Sequence, residues 1–132
     1  MRNVWLVSVT LCCAMTALAQ NNQDAFTASG NAFVRVCSVV DKQTGTNDDS
    51  NNLALCMGYV QGFADGVTLG VKYSNALSSK DAKPVFCVPD DVTTSQLIRV
   101  ALKYIRDNPA DAHHSTASLL MAAIGTNFPC KP

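Results

Sequence analysis

The sequence contains no glutamate. Its whole acidic complement is ten aspartates, set against ten lysines and arginines, and only 15% of its 132 residues are charged. That balance excludes an electrostatic binder of nucleic acid, which needs a cationic excess to neutralise phosphates. Histidine is nearly absent, present only as His113 and His114. As neighbours on a helix they would diverge by about 100° and could not share a metal. There is no Gly-x-Ser-x-Gly elbow, no glycine-rich phosphate loop and no His-Glu-x-x-His pair. Hence neither catalysis nor a cofactor or metal site is expected. No alternating pattern long enough for a useful strand occurs either.

What is present begins with an export signal. Met1-Arg2-Asn3 supplies a positive start, Val4 to Ala17 an apolar stretch broken by Ser8, Thr10 and Thr16, and Ala17-Leu18-Ala19 a small-residue cleavage site before Gln20. The stretch falls short of the roughly 20 residues that span a bilayer, and no later segment could span. Cys12 follows Leu11 and Cys13 follows Cys12, which disfavours lipoprotein processing. Residues 1–19 are therefore read as a signal peptide and 20–132 as one exported domain, one charge unit negative once Arg2 is removed and with no membrane attachment after cleavage.

Four cysteines remain, Cys37, Cys56, Cys87 and Cys130, separated by 19, 31 and 43 residues. An even number in an exported chain, without paired-ligand spacing, reads as two structural disulfides and not as a zinc site.

Apolar periodicity then predicts four or five helices. A helix over about 28–41 carries Ala32, Phe33, Val36, Cys37 and Val40 on one face. Residues 41–52, rich in Asn, Asp, Thr, Gly and Ser, read as a solvated loop. A second helix over 53–73 buries Leu53, Cys56, Met57, Val60, Phe63, Ala64, Val67 and Val71. Gly58, Gly62, Gly66 and Gly70 sit four apart on it, each costing roughly 0.8–1 kcal/mol of helix propensity relative to alanine. Such a stripe implies close helix packing, inside one subunit or across a homodimer. Asp65 lies in the same segment and needs hydrogen-bond partners, a cap, a tyrosine or a cation.

Turn formers fill 74–92. Thr93 and Gln96 form a capping box for a helix to Asn108, with Leu97, Ile98, Ala101, Leu102 and Ile105 inward. Asn108-Pro109-Ala110-Asp111 reads as the start of a last helix over 109–126, on which His113 would be half-buried and bonded to a neighbouring helix. The class is all-α, a small four- to five-helix bundle with two disulfides. Four cysteines allow three pairings; short connections favour hairpins that join Cys37 to Cys56 and Cys87 to Cys130.

Cys56-Met57-Gly58-Tyr59-Val60-Gln61-Gly62-Phe63-Ala64-Asp65-Gly66, Cys87-Val88-Pro89-Asp90-Asp91-Val92-Thr93-Thr94-Ser95-Gln96-Leu97, Tyr104 with Pro109 and His113, and Phe128-Pro129-Cys130 resemble, in that order, the Rap/Tai family of periplasmic immunity proteins. The resemblance covers roughly 30–130. It implies an exported helical protein, often dimeric, that protects against a peptidoglycan amidase toxin of the type VI secretion system by blocking the toxin's cleft with a protruding loop. Gly58, Tyr59, Gly62, Asp65, Pro89, Gln96 and His113 carry over as fold determinants. The inhibitory residues are expected in the loops, where neither 41–52 nor 74–86 matches a transferable motif. Ser78, Ser79, Lys80 and Asp81 are favoured, because Cys87 and Pro89 anchor that loop and lower the ordering cost of binding. Two other readings remain: an acid-stress chaperone, motivated by the all-aspartate charge and the histidine pair, and another envelope protein-binding module.

Overall fold

The computed structural model describes residues 26–42, 45–78 and 81–131. The expected signal 1–19, residues 20–25 and two of the favoured loop residues, Ser79 and Lys80, lie outside the described residues. Within them the chain forms α1 (Gly30–Cys37), α2 (Asn47–Leu77), α3 (Thr94–Asp107) and α4 (Thr116–Asn127), with a 3₁₀ turn over Ser38–Asp41 and no strand. The all-α class is as expected. Both disulfides pair as the hairpin argument favours, Cys37 with Cys56 and Cys87 with Cys130.

The centre is α3, which packs against α1, α2 and α4. All five of its expected inward residues are buried. Phe33 of α1, Val60 of α2, and Leu120 and Ile124 of α4 close round them with no solvent exposure. Burying an aliphatic or phenyl side chain of this size contributes about 1.5–3 kcal/mol. The Thr93 hydroxyl accepts from the Gln96 amide at 3.2 Å, the first half of the expected box. At the far end, the Asn108 side chain donates to the Tyr104 carbonyl at 2.8 Å.

Four boundaries differ from expectation: α2 runs past 73 to Leu77, into the stretch read as turns, and the other three each have a local reason. α1 ends at Cys37, and the chain tightens into the 3₁₀ turn as the Ser38 hydroxyl donates back to the Val34 carbonyl at 2.6 Å. In the tighter winding Val39 is buried as well, while Val40 stays half-buried against the core.

The polar stretch before Leu53 is not all loop. α2 begins at Asn47, where Thr46 and Asp49 form a reciprocal capping box: Thr46 Oγ1 accepts from the Asp49 amide at 3.2 Å and Asp49 Oδ2 from the Thr46 amide at 3.0 Å. Asp48 and Asp49 in the first turn suit the positive end of the helix dipole. The Lys42 ammonium beside Asp49, with the Thr46 amide, holds its carboxyl below the ordinary value.

Pro109 does not start a helix. Residues 109–114 make successive tight turns, and α4 starts at Thr116 under a Ser115 cap whose hydroxyl accepts from the Ser118 amide at 3.3 Å. The turns leave carbonyls free for the N-terminus of α1: Gly30 N–H donates to His114 at 3.1 Å and Asn31 N–H to Ala112 at 3.0 Å. A Cβ at Gly30 would collide with Leu119 Cδ1 and stand 3.1 Å from the Ala112 oxygen, so this approach needs glycine. Thr116, fully buried, locks the same junction by bonding to the Ser29 carbonyl at 3.1 Å and the Phe26 carbonyl at 3.4 Å.

Candidate functional site

α2 has two halves of different character. Its first half contributes Cys56, Val60 and Ala64 to the core. Beyond Asp65 no residue of it is buried, and Leu69, Tyr73 and Leu77 are 62%, 68% and 72% exposed. At 1.5 Å per residue, Leu77 lies about 20 Å along the axis past Ala64. The helix therefore carries its own C-terminal end, at Leu77 and Ser78, well away from the core.

The returning segment is fastened at both ends. The Asn75 side-chain amide donates to the Ala82 carbonyl at 3.0 Å and its oxygen accepts from the Ala82 amide at 2.7 Å, a two-point clamp across the reversal. Further along, Phe86 is buried, Cys87 N–H donates to the Phe128 carbonyl at 2.9 Å, and the Cys87–Cys130 disulfide ties the segment to the end of α4. Between this strap and α2 runs a groove of about 500 Å³, whose helix side mixes polar Gln61, Asp65, Thr68 and Lys72 with apolar Ala64, Val67 and Val71.

The structure thus brings Ser78 and Asp81 to the exposed reversal, with Ser78 closing α2 through its amide to the Ser74 carbonyl at 3.0 Å. Ser79 and Lys80 lie outside the described residues. Asp65 is exposed and not buried as its apolar neighbours implied; it accepts from the Gln61 side chain at 3.0 Å, and Gln61 accepts from Thr94 at 2.6 Å. Among the described residues nothing packs on the glycine stripe, for a Cβ at Gly58, Gly62, Gly66 or Gly70 would meet none of their atoms within 4 Å. Met57 is also 37% exposed. Both histidines are exposed in the 109–114 turns, where His113 Nδ1 lies 2.8 Å from the Ala110 carbonyl and not on a neighbouring helix. Their rings stand 4.2 Å apart, which the turn allows and a helix would not. No group of three or more potential metal ligands occurs among the described residues, and no helix there is long and apolar enough to cross a membrane.

Sequence reasoning missed Asn75 and the Leu69, Tyr73, Leu77 series. The latter had a signal, a four-residue spacing parallel to the glycines. The Asn75 clamp had none, since its partner is set by the path of the returning chain.

These features define a small, disulfide-stapled helical scaffold that holds out one anchored tip. The family model of the Rap1a immunity proteins matches residues 29–130, and the chain belongs to that family. Neither a curated protein nor a solved structure matches it.

Proposed function

We propose that this immunity protein acts in the periplasm, after removal of residues 1–19, and binds a peptidoglycan amidase effector of the type VI secretion system, occluding its cleft with the tip at 78–81. The observation that carries the reading is the two-point Asn75–Ala82 clamp beneath that tip. A tip held by a clamp and a disulfide loses less conformational freedom on docking than a free loop, and that saving appears directly as affinity. The exposed far half of α2 gives the tip reach. In the same reading the protein has no turnover of its own and works as a homodimer, each copy presenting one tip.

The test is a binding and hydrolysis assay against amidases encoded beside it. One of them is expected to co-purify and to lose its peptidoglycan hydrolysis at nanomolar inhibitor. Asn75→Ala, which loosens the tip without altering it, is expected to weaken inhibition about tenfold, the equivalent of roughly 1.4 kcal/mol. Full activity of every such amidase in its presence would overturn the proposal.

A further inference from the structure

The groove under the strap has an acidic end and a basic end. The strap runs antiparallel to α2, since Asn75 is clamped to Ala82 at one end and Gln61 accepts from the Thr94 hydroxyl at 2.6 Å at the other. Asp90 of the strap therefore falls toward Asp65, and Pro84 and Val85 fall toward Lys72. Asp65 and Lys72 are seven residues apart, which returns them to one side of the helix about 10 Å apart along its axis. Asp65, Asp90 and Lys72 all border the groove, and none forms an ion pair among the described residues.

Between the charges the lining is mostly apolar. Ala64, Phe86 and Leu97 are buried beneath it, and Val67, Val71 and Val88 flank it half-buried. The Val85 and Val88 amides donate to no other described residue, so an extended chain beside the strap finds donors there. A ligand complementary to this surface carries a cation and an anion about 10 Å apart on an extended, largely apolar backbone. An extended peptide rises about 3.3 Å per residue, so three residues separate its terminal ammonium from its terminal carboxylate by that distance. Length is limited as well. Strap and helix are bonded together at Asn75–Ala82 and at Gln61–Thr94, about 20 Å apart along α2, so a chain continuing in both directions would have to leave the groove. A volume of about 500 Å³ is of the size that holds small ligands.

We propose that this groove is a binding site for a short free peptide of three or four residues, its terminal ammonium held by Asp65 and Asp90 and its terminal carboxylate by Lys72, so that it runs parallel to α2. The site is separate from the tip and does not depend on the identity of the effector.

Titration of the purified protein, both disulfides intact, with the tripeptide Ala-Val-Ala tests it, by calorimetry for affinity and by amide chemical shifts for place. Binding tighter than about 1 mM is expected, with shifts concentrated in 61–72 and 84–92. Acetylating the peptide's amine or amidating its carboxyl should each weaken binding at least fivefold. Lys72→Met should weaken the free peptide at least fivefold and leave the amidated one within about twofold; Asp65→Asn combined with Asp90→Asn should do the same for the free and acetylated forms, the signature of direct pairing. All three residues are exposed, so circular dichroism should show intact helices in these variants. No saturation by about 5 mM, affinity indifferent to both caps, or equal affinity for a twelve-residue peptide with Ala-Val-Ala at its centre would each overturn the proposal. Amidase inhibition is a separate measurement, and its failure would leave this result unchanged.

Discussion

The two disulfides serve different regions. Cys37 and Cys56 are both fully buried and join α1 to α2 inside the core, whereas Cys87 is exposed and ties the strap to the end of α4 at the surface. The core staple reinforces packing that Phe33, Val60 and α3 already supply. The surface staple holds a segment otherwise fastened by Phe86, Val88, a backbone bond to Phe128 and the Asn75 clamp. One link thus protects the fold, and the other protects the shape of the candidate binding tip.

Removing the core staple is the strongest way to test that contrast. The double exchange Cys37→Ala and Cys56→Ala loses a loop constraint of about 3 kcal/mol and two buried sulfurs, an expected total of roughly 5 kcal/mol. Against a typical stability of about 5–15 kcal/mol, denaturant unfolding should show a protein at the edge of folding. The double exchange Cys87→Ser and Cys130→Ser should cost about 2–4 kcal/mol and leave the core helices formed, while amide exchange in 81–89 speeds up far more than in α3. Mild reductant should open this exposed link first, seen by thiol labelling at positions 87 and 130 before 37 and 56.

A smaller effect sharpens the core side. Thr116→Val keeps the volume but strands the Ser29 and Phe26 carbonyls, for an expected loss of about 1–3 kcal/mol in thermal or denaturant unfolding. Smallest is the exposed start of α2. The Asp49 carboxyl is held below its ordinary 3.8, so what it adds to the folded state is present above that pH and fades as acid carries it down through its lower folded value. Amide exchange at Asp49 and Ser50 should therefore rise below about pH 4 while α3 stays protected, and Asp49→Asn should remove the pH-dependent step.

The α3 face and the Thr93 cap were legible in the chain because each depends on residues close in sequence, and the pairing of cysteines because short connections turn successive helices back on each other. The same rules misplaced the ends of three helices. Thr46 and Asp49 have the composition of a loop and the spacing of a cap, and nothing local decides between them until the helix behind them packs. Asn108-Pro109 has every mark of a helix start, yet the turns that follow lend their carbonyls to Gly30 and Asn31, some 80 residues earlier. The glycine stripe announced a close approach, but none of the described residues covers that face.

Periodicity, capping side chains and cysteine spacing, read from the residues alone, determined an all-helical chain with two links, because helix formation and short hairpins are decided within a few turns. Tertiary structure alone decided which face of α2 the core covers, where the chain unwinds to satisfy α1, and that Asn75 clamps the strap. Those outcomes depend on groups brought together from distant positions, whose hydrogen bonds and packing exist only once the whole chain has closed on α3.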